Sequence, residues 1–416
     1  MKQMIKYRSS LLTILIILLC GYCFSTCIND DKNKSVITKN NDYSAFAGSA
    51  SCSSCHKNIY DAHINTAHFS TSAIASDKNI KGSFDAGKNT FVYNNGGMVA
   101  MEKRATGFYQ VAYIDNIEKK SQRFDMVIGS GTKGQSFACW ANDKLFQLPI
   151  TYFTSAGQWS NSPGYPNKIA FNRPISSRCL ECHSTYAEIK SEPNIEPESF
   201  NRSKMILGVD CERCHGPARK HVEYQTRNPA DTMARFIINP AQFSRRQSLD
   251  LCALCHGGRM QKSTPSFSFT AGNNLADYFI TDTIAGETDN IDVHGNQYGL
   301  LKASKCFRRT KTLTCITCHN THVNEKGNTA VFSQRCISCH NNTQPDAVLC
   351  RKASTMGAAI NKDCITCHMP QQPSMAIAVM LQGSAIPAPA LMHTHLIKIY
   401  KEQVKAVTEM IKSDKQ

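Results

Sequence analysis

The chain has 416 residues, of which 41% are hydrophobic, and a formal net charge of +15. That length suffices for two or three ordinary domains, while two tryptophans in all add little to an aliphatic interior. So basic a chain raises nucleic acid as a partner, an option that the cysteine pattern removes below.

Residues 1–27 read as an export signal. Lys2, Lys6 and Arg8 precede an almost wholly apolar run from Leu11 to Leu19, too short for a transmembrane helix of about 20 residues. No A-x-A cleavage site stands out. Cys20, Cys23 and Cys27 lie near its end, and Phe24-Ser25-Thr26-Cys27 looks like a loose bacterial lipobox, with Thr26 where a smaller residue is usual. Cys27 is therefore the expected lipidation site, anchoring an exported protein to a membrane. Asp30-Asp31, just after it, is similar to surface-export tags of some Gram-negative lipoproteins. These features point to the periplasm or the cell surface, at the outer membrane. An uncleaved N-terminal anchor or simple soluble export are the alternatives.

Residues 28–46 form a polar tether. The segment 47–89 is expected to be helical from Ile59-Tyr60 to Ser76, carrying His63 and His68. From 90 to 166 the pattern becomes period two, in runs such as Phe91-Val92-Tyr93, Phe108 to Ile114 and Leu145 to Phe153. Turn residues separate the runs at Asn94-Asn95-Gly96-Gly97, Gly129-Ser130-Gly131 and Asn142-Asp143. That is an inserted β-meander of about five strands, a scaffold or docking face. Residues 167–395 read as helical and loop-rich with few strands. Within them Pro193 to Pro197 is a surface loop, 260–300 a long connection, and Met375 to Met392 an apolar stretch broken by Pro387 and Pro389. Leu396 to Ile411 reads as an amphipathic helix within a C-terminal element, 396–416.

Across this frame one motif recurs seven times: two cysteines, two residues apart, with histidine directly after. The copies are Cys52-Cys55-His56, Cys179-Cys182-His183, Cys211-Cys214-His215, Cys252-Cys255-His256, Cys315-Cys318-His319, Cys336-Cys339-His340 and Cys364-Cys367-His368. C-x-x-C-H is the attachment signature of c-type haem. Residues three apart share one helical face, so both thiols reach the two vinyl groups of one porphyrin. The next residue then lies under the iron as its proximal ligand. Zinc sites use C-x-x-C pairs without requiring this histidine each time, and disulfide frameworks suit much shorter chains. Seven c-type haems are therefore the expected cofactors, attached after export.

Seven haems leave under 60 residues for each, so porphyrin is expected to form much of the core, and folding to depend on the cofactor. The charge finds a nearer explanation too. Without the signal the balance is +12, and two propionates per haem more than offset it, with Lys and Arg as their partners. Nucleic-acid binding has no support.

Of 14 histidines in all, seven lie outside the motifs: His63, His68, His221, His294, His322, His393 and His395. A histidine on both sides of every iron would use them all. His322 lies three residues after His319, and His221 six after His215. Neither easily reaches the far face of the iron beside it, so each is expected to ligate a neighbouring haem. His68, His294 and His395 are candidates of the same kind, whereas His63 and His393 stand beside better ones. Met369 cannot reach the far face of the haem at His368. Cys139, Cys306 and Cys350 belong to no motif.

Around Cys179-Leu-Glu-Cys182-His183, Gly208-Val-Asp-Cys211-Glu-Arg-Cys214-His215-Gly216-Pro217, Cys315-Ile-Thr-Cys318-His319-Asn-Thr-His322 and Cys364-Ile-Thr-Cys367-His368-Met369-Pro370, the chain resembles multihaem cytochromes c of the cytochrome c-552/c-554 type. Gly48-Ser-Ala-Ser-Cys52-Ser-Ser-Cys55-His56, with Tyr60 and His68 after it, fits the same group. The likeness spans about 46–400 apart from the meander. It implies a mainly α and loop, haem-packed fold (α+β once the meander is counted) and electron transfer. Relatives also include hydroxylamine- and nitrite-converting enzymes, and fold alone does not choose between carrier and catalyst. No C-x-x-C-K site appears, as the classical nitrite reductase has, and the motifs number seven where hydroxylamine oxidoreductase has eight.

Two function classes follow. A carrier with iron closed by two histidines would pass electrons in respiratory transport to redox partner proteins, or dock on a membrane oxidoreductase complex. A redox enzyme would keep one iron open for a small nitrogen or sulfur oxyanion. The candidate for that opening is the motif of His256, because Gly257-Gly258 follows it and the nearest histidines, His221 and His294, lie 35 and 38 residues away.

Overall fold

The computed structural model describes residues 42–191, 196–281, 291–341, 350, 352 and 356–413. The export segment, Cys27 and most of the tether lie outside them, as does part of the Pro193–Pro197 loop.

The last tether residues are docked. Phe46 is buried against Tyr186, ring centroids 4.9 Å apart, and Arg219 donates to the carbonyls of Ser44 and Phe46. Helix α1 covers Lys57–His63 only, shorter than the pattern to Ser76 implied. After a single 3-10 turn, Phe69–Thr71, the chain extends into strand β1, Ser72–Ile74.

Nine strands, not five, fill the meander. They are β2 (Thr90–Val92), β3 (Met98–Arg104), β4 (Gly107–Ile114), β5 (Ile117–Arg123), β6 (Met126–Ile128), β7 (Gly134–Ala141), β8 (Lys144–Gln147), β9 (Ile150–Phe153) and β10 (Gln158–Asn161). Two-residue turns join the longest: Asp115 and Asn116, both at positive φ, link β4 to β5, and Asn142-Asp143 links β7 to β8. Asn and Asp tolerate that left-handed conformation, which matches the twist of paired strands. The runs β2-β3-β4-β5 form one antiparallel sheet. The second sheet takes β6 to β10 and recruits β1 and β11 (Arg173–Pro174) from outside the meander.

The sheets share one apolar core, with Val99, Met101 and Phe108 facing Phe137, Leu148, Ile150 and Trp159. Gln110, fully buried, ties them together: its amide donates to Ile150 O (2.7 Å) and its carbonyl accepts from Ile150 N–H (3.0 Å). A buried amide satisfied on both ends costs little and fixes the register. Trp159 lies so close to Gly82 that a Cβ there would stand 2.1 Å from its ring.

The rest holds short helices and more strand than the composition suggested. In chain order come α2 (Ser177–His183), the hairpin β12–β13 (Ser184–Ser191, Ser199–Leu207), α3 (Cys211–His215), α4 (Arg219–Arg227) and α5 (Arg245–His256). The connection from 260 contains the short pair β14–β15 (Met260–Lys262, Phe279–Thr281), and Phe269, Leu275 and Tyr278 pack on Ala253 and Leu254. Then follow α6 (Gln297–Ala303), α7 (Lys305–Arg309), α8 (Thr329–Ile337), α9 (Cys364–His368), the hairpin β16–β17 (Gln371–Val379, Ala388–His393) and α10 (Lys401–Ser413). The stretch around Pro387 and Pro389 is thus part of a hairpin. The ladder's register shift between Pro373 and Ala378 accommodates residues that cannot all donate. The architecture is helices with many antiparallel sheets, less helical than "mainly α and loop".

Candidate haem centres

Every motif sits on a helical turn. The 3-10 segment Ser49–Ser54 carries Cys52, α2, α3 and α9 hold whole motifs, α5 ends in Cys252-Cys255-His256, Cys315–Thr317 is a 3-10 turn, and α8 reaches Cys336. His56, His319 and His340 each donate N–H to the carbonyl of the first cysteine, at 2.8 to 2.9 Å. That bond puts the two thiols and the ring on adjoining positions of one turn. Side-chain caps fix several starts: Asp210 accepts from Cys211 N–H, Asp363 from Thr366 N–H, Asn328 from Val331 N–H, and Ser244 with Gln247 forms a capping box.

Five of the turns converge on a cavity of 2150 Å³, beyond the roughly 300–1,000 Å³ of a single small-molecule site. His56, His183, His215, His256 and His319 all line it, from five different motifs. His63, His68, His221, His294 and His322 line it too.

Within that array the rings oppose one another in pairs. His68 and His256 have centroids 6.2 Å apart, His215 and His322 6.1 Å, and His319 and His395 6.0 Å. Two imidazoles held through Nε2 on opposite sides of one metal, at about 2 Å per bond, would stand about 6 Å apart. In six of the histidines the second ring nitrogen is engaged as well, whereas Nδ1 of His395 is buried without a hydrogen bond. Nδ1 donates to a carbonyl from His183 (Thr71, 3.3 Å), His215 (Ile238, 3.0 Å), His368 (Lys398, 3.1 Å), His221 (Arg235, 2.7 Å) and His393 (Met369, 2.6 Å). His256 uses Gln297 Oε1 at 3.2 Å. This fixes the tautomer and leaves Nε2 as a metal ligand, except in His393, whose Nε2 meets the Gln371 amide at 3.4 Å. Burial, then the rings of His256, His63 and His319, pushes His68 down to about 4; burial, then His319 and His256, does the same to His395. A neutral imidazole is the form that ligates. The donor set and the space fit haem.

The other positions are less evenly served. His294 lies near enough to His183 to help lower its pKa, after burial. His56 and His221 both lie near His215. His63 is buried with neither ring nitrogen hydrogen-bonded, 3.7 Å from Asp210 and 6.5 Å ring to ring from His322. His340 lies near enough to His368 to help lower its pKa, after burial. Cys139 is buried in the sandwich, Cys306 is half-buried and Cys350 exposed, all three unbridged.

One expectation fails. The His256 motif was the candidate for an open iron, yet His68 stands across from it, 184 to 188 residues before the motif's own Cys252–His256. Gly257-Gly258 does not hold space either. A Cβ on Gly257 would lie 2.5 Å from Ala253 O, and one on Gly258, at φ +87°, 2.7 Å from the Asn296 amide. The pair is a tight helix exit, not a vestibule.

Residues inside the motifs do structural work that spacing alone did not reveal. Glu212 is buried and accepts from the N–H groups of Ala47, Gly48 and Ala218 at 2.7 to 2.9 Å. Glu181, also buried, accepts from Phe267 N–H at 2.8 Å. Arg178 donates to Leu254 O and Arg213 to Glu181 O, both at 2.8 Å. An acidic residue between two haem cysteines was the available signal.

Fold and donor array together define a multihaem c-type cytochrome, and electron transfer is the chemistry of that class. The relatives agree. Residues 161–216 match the family described as cytochrome c554 and c-prime. No curated protein matches the chain. Among solved structures it is similar to the outer cell wall cytochrome OcwA, at 14% identity with a TM-score of 0.51, covering 88% of this chain and 82% of that one. At that identity the likeness is one of fold.

Proposed function

We propose that the exported protein carries seven covalent haems, most with histidine on both faces, and relays electrons between redox partners in respiratory transport. The observation that carries this reading is the set of three opposed histidine pairs about 6 Å apart, in a chain with as many spare histidines as motifs. Iron closed on both sides excludes substrate and favours low potential. A haem-packed core then fills the shared cavity. The site of action is the cell surface, which accords with the outer-cell-wall location in OcwA's title. Among the described residues no helix is long and apolar enough to cross a membrane. Attachment is assigned to lipid on Cys27 from the lipobox-like Phe24-Ser25-Thr26-Cys27.

Intact mass and pyridine haemochrome quantitation should give seven haems per mature chain; five or fewer would sink the reading. EPR of the oxidised protein should be dominated by low-spin ferric signals that nitrite and hydroxylamine leave unchanged. A large high-spin signal that shifts with nitrite would favour an enzyme instead. Cys27→Ser should move the protein from membranes to the soluble fraction, and retention on membranes would remove the lipid anchor from the account.

A further inference from the structure

The loop that carries His322 has no apolar anchor of its own. From Cys315 to Ala330 no residue is buried by the rest of the chain, and His322, Val323 and Asn324 are all exposed. Yet the ring of His322 stacks at 29° on that of His215, with centroids 6.1 Å apart. A loop without a core needs a polar fastening to hold a side chain in one place, because ordering each free residue costs conformational entropy.

The fastening is Glu325. Its Oε2 accepts from the N–H of Asn320 at 3.0 Å, which closes residues 320–325 into a ring, and Asn320 Oδ1 accepts from the N–H of His322 itself at 3.0 Å. Arg335, one residue before Cys336 on α8, grips the same carboxylate with both arms of its fork: Nη1 donates to Oε2 at 2.8 Å and Nη2 to Oε1 at 2.5 Å. Nη1 also donates to Cys318 O at 2.7 Å. One guanidinium thus ties the loop at its entry, Cys318, and at its exit, Glu325. The pair is bidentate and partly buried, with side chains 27% and 15% exposed. A planar fork on a carboxylate fixes geometry as well as adding attraction.

We infer that Glu325 and Arg335 are positioning residues for the haem of the third motif, holding the loop so that His322 presents its ring opposite His215. This rests on the reading above that His215 and His322 ligate one iron. Neither residue is itself a ligand; both act through His322. The helix that leads into the sixth motif therefore sets the ligation of a haem attached to Cys211 and Cys214. With the clasp open, His322 is free to swing away and the iron is open to an added ligand.

The test uses the mature holoprotein. Glu325→Ala should turn part of one haem high-spin in EPR and magnetic circular dichroism, and added imidazole should return it to low spin. Cyanide binding at that haem should quicken by about tenfold or more, the factor for one lost hydrogen bond to a charged group. Glu325→Gln, which keeps an acceptor without its charge, should fall between Glu325→Ala and the parent, and it is read by the same criteria if Glu325→Ala does not mature. Glu325→Ala/His322→Ala should show no more high-spin haem than His322→Ala alone, because the carboxylate acts through that ring. A brace that only stabilised the fold would lower the unfolding midpoint and leave spin state and cyanide binding as in the parent. Parent-like spectra and cyanide rates in the Glu325 variants would overturn the proposal, as would a double variant with more high-spin haem than His322→Ala. If His322→Ala itself stays wholly low-spin, the pairing with His215 has failed instead, and with it the reading beneath.

Discussion

Glu212→Gln removes one oxygen from a buried carboxylate that holds the segment before motif 1 against the turn of motif 3. In the native chain Oε1 accepts from Ala47 and Ala218 and Oε2 from Gly48. The amide keeps the first two bonds without their charge and turns its own donor toward the N–H of Gly48. A buried donor left unsatisfied costs about 1–3 kcal/mol, and exchanging charged for neutral acceptors weakens the remaining bonds by about 1 kcal/mol in all. A neutral amide is easier to bury than a carboxylate, which offsets part of this. The net loss should be about 2 kcal/mol. Guanidinium unfolding of the mature protein, followed at the Soret band, should show the midpoint falling at unchanged slope. Cleavage by added protease before Ala47 should rise in parallel. A change within about 0.5 kcal/mol, the scatter of ordinary surface substitutions, would show that Glu212 is not the brace between motifs 1 and 3.

His68→Ala, His322→Ala and His395→Ala should each create one high-spin haem, at motifs 4, 3 and 5 respectively. Magnetic circular dichroism reads this, and three unchanged low-spin spectra would refute the pairings. In acid, burial and then the neighbouring imidazoles push His68 and His395 down in the folded chain, to about 4 from an ordinary value near 6.5, and a bound metal would act in the same direction. The unfolded chain then binds more protons below pH 6.5, so stability present above that value is lost as pH falls toward 4. Unfolding midpoints should hold from pH 8 to 7 and decline from pH 6 to 4; a midpoint rising in that acid range would have the wrong sign. Gly82→Ala should push Trp159 aside and cost about 1–3 kcal/mol by overpacking, lowering the unfolding midpoint while the haem spectra stay unchanged. Altered spectra would mean that the sandwich and the haem centres are coupled.

The sequence made the motifs plain because covalent attachment demands a fixed local spacing, and a local spacing survives any fold. It also showed the sandwich turns, since Asn142 and the Asn94–Gly97 cluster declare their backbone geometry by residue type alone. Pairing was a different matter. His68 meets His256 across nearly half the chain, and nothing in either neighbourhood announces the other. Proximity in sequence even pointed the wrong way, toward an open iron beside Gly257-Gly258, where two glycines permit close packing against Ala253 and Asn296. The strand content was underestimated for a similar reason. The hairpin β12–β13 starts directly after a motif and its ladder shifts register three times, so no clean period of two marks it. His322 shows how local and distant constraints combine. Its three-residue offset from His319 forbids service to the nearest iron, and the chain's turn then delivers it to His215. A ligand that cannot serve its own motif must join two, and that same offset ties motif 5 to motif 3.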